Sequence, residues 1–391
     1  MPDIAAIQAE LRASGLDGWL FYDVLHRDPI AYSVLGLHEV MAKRRWFYLI
    51  PAHGRPAKLV HKIEAGSLDS LPGAKIEYMS REELLRGLAK LLGRMSKVAM
   101  QYSPKSNITS VATVDAGTVE LVRSMKTKVV TSADLVQKFE AVWTPEQLRS
   151  HLEAGRLVDR ITQDAFRRAA SFVREKKVRT EYELQQWMAE QFKLCGLISD
   201  SAPIVGAGPS SGNPHYEPMP KGSRPIRAGN VLLLDVWAKL NKPGSVYYDI
   251  TWTAYLGTRV PPKVEKVFRA VSQARDAAVD FARRSITAGR TIQGWQVDGA
   301  ARDVIRKAGF ARYFTHRTGH NIGQEVHGTG ANMDGIEMYD DRSIVPRTCF
   351  SVEPGIYLPE FGIRSEVDVY VSESEARVTG AVQTEMAALL A

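Results

Sequence analysis

Two periodicities run along the chain and divide it. Near the N-terminus Ile4, Ile7, Leu11 and Leu16 recur at helical spacing, the mark of an amphipathic helix with one buried face. The apolar run Gly18-Trp-Leu-Phe-Tyr22 follows, and a Pro/Gly turn parts Trp46-Phe-Tyr-Leu-Ile50 from Lys58-Leu-Val-His61. Short apolar runs bounded by such breakers predict buried strands. Ser80-Arg-Glu-Glu83 is a capping box, in which hydroxyl and carboxylate satisfy each other's exposed backbone donors, and it predicts a helix over residues 84–95. A small α/β domain is therefore expected over residues 1–142, with no cluster of catalytic side chains in it.

A second domain is expected over residues 143–391. Thr144-Pro145-Glu146-Gln147 combines a capping hydroxyl, proline at the first helical position and glutamine three residues after the cap. A long helix to about residue 177 follows from it. Thr180-Glu-Tyr-Glu183, a second capping box, starts another that stops at Gly196. Beyond this one plan occurs twice. The helix ELQQWMAEQFKLCGL precedes the strands NVLLLDVWAK and VYYDITWTAYLG, and the helix VDGAARDVIRKAGF precedes TCFSVEPGIY and FGIRSEVDVYVS. Each half places an acid on both strands of a hairpin: Asp235 and Asp249 are 14 apart, Glu353 and Glu366 are 13 apart. This is the pattern of a twofold-related duplication.

Composition narrows the class. With 391 residues, 45 % apolar and 24 % charged, the chain suits a globular protein of two unequal domains. No apolar run approaches the ~18–20 residues of a membrane span, and MPDIAAIQAELRASG lacks the basic-then-apolar order of a signal peptide, so a cytoplasmic home and no membrane partner are expected. The net charge of +7 is spread in short groups such as Lys43-Arg44-Arg45 rather than concentrated in one patch, which argues against nucleic acid. The two cysteines, Cys195 and Cys349, exclude a disulfide scaffold and a thiolate zinc site, leaving oxygen and imidazole ligands for any metal.

The acids then take on meaning. A period of two puts Asp249, Thr251 and Thr253 on one strand face with Ile250 and Trp252 opposite, and separates Arg364, Glu366 and Asp368 from Ile363, Val367, Val369 and Val371. Carboxylates set in apolar strands are costly to bury unless neutralised. Four of them with one imidazole match two divalent cations in charge. Rival readings are weaker. His316 and His320 are four apart, as on a zinc-binding helix, but Gly319 and Gly323 weaken that helix and the glutamate of the motif is absent. Gly208-Pro-Ser-Ser-Gly212 has the form of a nucleophile elbow, yet Pro214, Pro218 and Pro220 prevent the helix it needs.

Asp235, Asp249, His320 in TGHNIGQEVH, Glu353 in VEPGIY and Glu366 in GIRSEVDV stand in the order, setting and approximate spacing of the five metal ligands of the pita-bread metallopeptidases. Residues 143–391 resemble that family, which includes methionine aminopeptidases, Xaa-Pro aminopeptidases and Xaa-Pro dipeptidases (prolidases). The preceding residues resemble the smaller domain found in creatinase and the proline-directed members. The resemblance implies an α/β protein, with an N-terminal creatinase-like α/β domain and a C-terminal pita-bread α+β domain built by pseudo-twofold duplication. It implies that Asp235 chelates one cation, that Asp249 and Glu366 bridge two, and that His320 and Glu353 complete the second. Manganese is the first expectation, and cobalt, zinc or iron suit the same donors. It further implies substrate contact and stabilisation of the tetrahedral intermediate by His215 and His327, with Glu353 counted among the catalytic residues and His316 at the substrate or hydrogen-bonding behind the ligands.

The expected activity is hydrolysis of Xaa-Pro dipeptides by a hydroxide held between two metals. Arg364, on the strand face of Glu366, is expected to receive the substrate carboxylate together with His215. The alternatives are an Xaa-Pro aminopeptidase acting on longer peptides and, from another class, a metal-free creatinase-like hydrolase or a binding module, both of which lack the full ligand set. Short proline-containing peptides and a second copy of the chain are the expected partners, with residues 32–46 pairing the copies. Departures from the family pattern are a turn three residues longer before Asp249, Trp252 in place of arginine, Gly328 after His327 in place of glutamate, Val367 in place of an acid, and Ser201 in place of tyrosine.

Overall fold

In the computed structural model residues 2–37 and 40–391 are described, and the chain divides into two compact units, Met1–Glu140 and Ala141–Ala391. Within the 32–46 segment, His38 and Glu39 lie outside the described residues.

The first unit contains helices α1 (Ile4–Ala13), α2 (Pro29–Leu35), α3 (Arg81–Leu92), α4 (Ala116–Ser124) and α5 (Ala133–Val136). Its strands are β1 (Gly18–Asp23), β2 (Trp46–Pro51), β3 (Ala57–His61), β4 (Ala74–Tyr78), β5 (Lys97–Met100) and β6 (Lys128–Thr131), in the spatial order β4-β3-β2-β1-β5-β6. The central strands are covered on both faces, Trp19, Phe21, Trp46 and Tyr48 packing on one side and Leu20, Tyr22, Phe47 and Leu49 on the other. That is why their sequences run apolar without alternation. α3 begins directly after its Ser80 cap rather than at residue 84, and it ends before Gly93, whose φ of 56° turns the chain out of the helix.

The second unit repeats a plan of two helices and an antiparallel sheet. In the first half α6 (Pro145–Arg174) and α7 (Glu181–Leu194) precede β7 (Leu197–Ile198), β8 (Ile204–Ala207), β9 (Val231–Leu240) and β10 (Tyr248–Tyr255). In the second half α8 (Pro262–Thr287) and α9 (Gly294–Lys307) precede β11 (Asn321–Ile322), β12 (Thr348–Val352), β13 (Gly355–Tyr357), β14 (Gly362–Arg364), β15 (Val367–Val371) and β16 (Ala376–Val378). Leu232, Leu234, Val236, Tyr248 and Ile250 pack against α6 and α7, while Phe350, Val352, Val367, Val369 and Val371 pack against α8 and α9. The remaining strand face in each half carries the acids.

One expectation needs correction. Glu353 and Glu366 do not stand on continuous strands. Pro354 has no N–H to extend β12, so the hairpin breaks into a β12/β15 ladder and a β13/β14 ladder, with both glutamates in the interruption. The amide of Glu366 leaves its own hairpin and donates to the carbonyl of Thr251 in β10 at 3.0 Å. The break thus fastens one half to the other.

Candidate metal centre and active site

The pairing of β9 with β10 sets Thr251 opposite Asp235 and Asp249 opposite Trp237. Asp235 and Asp249 are therefore diagonal neighbours on one face. The Thr251 hydroxyl lies 3.0 Å from Asp235 Oδ1 and 2.7 Å from Glu366 Oε2, linking acids of the two halves. His320 enters on the loop before β11, whose backbone presses against β12: Ser351 N donates to His320 O at 2.8 Å, and His320 N donates to Ser351 Oγ at 3.0 Å. A Cβ on Gly319 would stand 1.9 Å from the Ser351 carbonyl oxygen, so only glycine permits this approach.

His320 Nε2 ends 3.6 Å from Asp249 Oδ2 and 3.5 Å from Glu353 Oε1. One donor atom from each of Asp249, His320 and Glu366 falls within a mutual 4.8 Å, all three residues being buried. Burial and then the charge of Glu366 hold the Asp249 carboxyl far above the usual carboxylate range, and burial followed by Glu353 does the same to Glu366. Glu353 is pushed up to about 7 by burial, against the pull of the Arg364 guanidinium. Burial, then the neighbouring His327 and Arg317, keeps the His320 imidazole neutral, with its pKa far below the usual value. A neutral imidazole that donates from Nδ1 toward the Asn321 carbonyl, 3.3 Å away, turns the lone pair of Nε2 toward the carboxylates. Asp249 Oδ1 is buried with no hydrogen-bond partner among the described residues. Converging lone pairs with nothing positive between them fit divalent cations, and the oxygen-rich donor set with one imidazole is chemically suited to them.

Sequence reasoning missed the support behind Asp249. Asp368 Oδ2 accepts from the Asp249 amide at 2.8 Å. Beside Asp368 lies His151, its nitrogens 2.7 Å from Tyr247 O and 2.6 Å from Thr379 Oγ1. Burial takes the His151 pKa down to about 4. The one available signal was a histidine on the apolar face of α6.

All five expected ligands line one cavity of about 420 Å³, together with His215, His316, His327, Arg317 and Arg364. His327 stands edge-on to His320 with ring centroids 4.3 Å apart. His215 is exposed, and its ring makes no hydrogen bond among the described residues. Two candidate substrate residues are held by the protein itself. His316 spends both nitrogens inside the protein, Nδ1 donating to Arg317 O and Nε2 accepting from Tyr357 OH, each at 2.7 Å. Burial, reinforced by Arg364, lowers its pKa to about 3, and the neutral ring hydrogen-bonds behind the ligands, the second of its two expected places. Arg364 is 4 % exposed and largely engaged: Nη2 on Asp235, Nε on Thr251 Oγ1 at 3.0 Å, and Nη1 on Tyr357 OH at 3.1 Å and Pro214 O at 3.4 Å. Four of its five N–H donors are thus given to the protein.

The profile of metallopeptidase family M24 matches residues 153–373. The chain belongs to this family. The probable dipeptidase PepE of Mycobacterium tuberculosis (strain ATCC 25618 / H37Rv) is 27 % identical over 95 % of this chain and 91 % of its own. The Xaa-Pro dipeptidase of Lactobacillus delbrueckii subsp. lactis is 27 % identical over 80 % of this chain and 78 % of its own. The crystal structure of dipeptidase PepE from Mycobacterium ulcerans superposes with a TM-score of 0.73 at 26 % identity, covering 99 % of this chain and 96 % of that one. The second unit accordingly has the pita-bread fold of M24, and M24 membership implies divalent metal. Among the described residues no helix is long and apolar enough to cross a membrane.

The departures from the M24 pattern fall mostly away from the acids. The longer turn leaves the β9/β10 register intact, Trp252 packs on the helix side of β10, and Val367 joins the core under α8 and α9. Gly328 donates to Asn321 O at 2.8 Å. Ser201 alone lines the cavity.

Proposed function

We propose that the chain hydrolyses Xaa-Pro dipeptides using two divalent cations, manganese first, held by Asp235, Asp249, His320, Glu353 and Glu366. The observation that carries this reading is the convergence of donor atoms: His320 Nε2 facing two carboxyl groups at 3.5 and 3.6 Å, beside Asp249 Oδ1, which has no partner among the described residues. Asp235, Asp249 and Glu366 would hold one cation, and Asp249, Glu366, His320 and Glu353 the other.

When bound, such cations polarise the scissile carbonyl and acidify water. The chain's own groups do the rest. His327 and His215, both opening on the cavity, donate to the carbonyl oxygen as it gains charge. The Glu353 carboxylate takes up a proton and returns it to the departing nitrogen. An Xaa-Pro amide has no N–H to be gripped, so the ring is held by packing against the apolar wall of Ile204, Val326 and Trp237. A cavity of about 420 Å³ lies toward the small end of ligand sites, roughly 300–1,000 Å³, and suits a short peptide. The relatives named dipeptidase and Xaa-Pro dipeptidase support the substrate class. We assign residues 1–142 to pairing of two copies, to be checked by sedimentation of the full chain.

The test is hydrolysis of Gly-Pro, Gly-Leu and Gly-Pro-Xaa by protein stripped of metal and then given manganese, cobalt, zinc or iron. Metal-restored cleavage of Gly-Pro is expected. Preference for Gly-Leu removes the proline specificity, and faster cleavage of the tripeptide makes this an aminopeptidase.

A further inference from the structure

The cavity is walled by carboxylates, yet one of its two guanidinium groups is uncommitted. Arg364 is buried and gives four of its five donors to Asp235, Thr251, Tyr357 and Pro214. Arg317 is half-buried, and its backbone is fixed on both sides: its N–H donates to Glu337 Oε1 at 2.7 Å and its carbonyl accepts from His316 Nδ1 at 2.7 Å. Its guanidinium makes no hydrogen bond or ion pair among the described residues, although it lines the same cavity as Glu353 and Glu366. Its positive charge acts on His327 and Glu353 from within that cavity. A fork of donors anchored at its base and free at its tip, facing a site that receives peptides, is complementary to an incoming planar anion.

Its place in the chain adds a distance constraint. Arg317 lies three residues before His320, on a loop pinned to β12 through Gly319 and Ser351. The guanidinium is thereby tied to the centre where the peptide bond is cut. In a dipeptide the C-terminal carboxylate lies one residue beyond the scissile carbonyl. Each further residue carries it up to ~3.5 Å away, outside the reach of a group so tethered.

Resting on the dipeptide reading above, we propose that Arg317, rather than Arg364, receives the C-terminal carboxylate of the substrate and so limits cleavage to dipeptides. The contact exists in the ground state and in the transition state alike, so its loss raises KM more than it lowers kcat.

The experiment compares Gly-Pro with Gly-Pro amide and with Gly-Pro-Xaa in the metal-loaded full chain, as wild type, Arg317→Gln and Arg317→Lys. The wild type is expected to favour Gly-Pro over its amide by ten-fold or more in kcat/KM. Arg317→Gln is expected to bring that ratio to within about three-fold of unity, mainly through KM, and Arg317→Lys, which keeps the charge but not the fork, to an intermediate value. Wild-type indifference to the free carboxylate overturns the dipeptide reading and this proposal with it. A wild-type preference that survives in Arg317→Gln overturns the role of Arg317 alone. Should Arg317→Gln fail to fold, an unchanged ratio in Arg317→Lys overturns it equally.

Discussion

Asp23 in the first unit and Asp249 in the second are the same residue at nearly the same burial, 1 % and 4 % exposed, and their surroundings are opposite. Asp23 Oδ1 accepts from the amides of Arg27 and Asp28 at 2.6 and 2.9 Å, and Oδ2 from the His26 amide and the Tyr32 hydroxyl, both at 3.0 Å. Four donors replace the water lost on folding. Asp249 has acids for neighbours, a lone pair of His320 before it and one oxygen with no partner among the described residues. A carboxylate that shapes a loop is ringed by protons. One suited to an ion is ringed by other lone pairs, and its cost is met only when the ion arrives.

The strongest way to break the contrast is Asp249→Asn. It is expected to lose bound metal and to lower kcat/KM by roughly 10³-fold or more, beyond the ~10–100-fold typical of residues behind the ligands. In chelator the same variant should melt above the wild type, because a buried repulsion is gone. Metal analysis and melting in chelator check both, and a fully loaded Asp249→Asn protein would undo the assignment. Asp23→Ala is expected to do the reverse. Four donors lose their acceptor, and urea unfolding should report a loss of ~3 kcal/mol or more in the first unit, with metal content per folded molecule unchanged.

Metal binding itself should raise stability by ~2.7 kcal/mol at a hundred times Kd, a shift read from thermal melts and absent in Asp249→Asn. The smallest effect concerns Glu140, whose carboxyl burial pushes up to about 7. The folded state keeps that proton while the unfolded state releases it near 4.5. Its contribution is therefore full below that pH and is lost as pH rises toward 7. Glu140→Gln should flatten this decline by on the order of 2 kcal/mol between pH 4.5 and 8, measured by urea unfolding across pH. Asp28, also pushed to about 7 by burial, keeps its part of the slope in the variant.

What the sequence made legible follows from local rules. A period of two correctly put Asp249 and Thr251 on one face of β10, and the capping boxes at Thr144 and Thr180 started α6 and α7 as expected. The glutamates were harder, because Pro354 breaks the ladder and the amide of Glu366 pairs across to Thr251, a contact between residues 115 apart. For Arg364 alternation gives a direction but not the partners at the end of it. Its partners Asp235, Thr251 and Tyr357 come from three other strands. His316 is bonded through both ring nitrogens while Arg317 beside it is not engaged through its guanidinium among the described residues, a difference that only the folded loop shows.

Thr251 carries a single hydroxyl hydrogen. Its oxygen accepts from Arg364 Nε at 3.0 Å and stands within bonding distance of both Asp235 and Glu366, at 3.0 and 2.7 Å. One hydrogen cannot serve two takers, so whichever carboxylate oxygen receives it, the other must find its partner elsewhere. The two takers belong to opposite halves of the duplicated unit. A single side chain thus links the acids of both halves. Thr251→Ser would retain this link, whereas Thr251→Val would dissolve it.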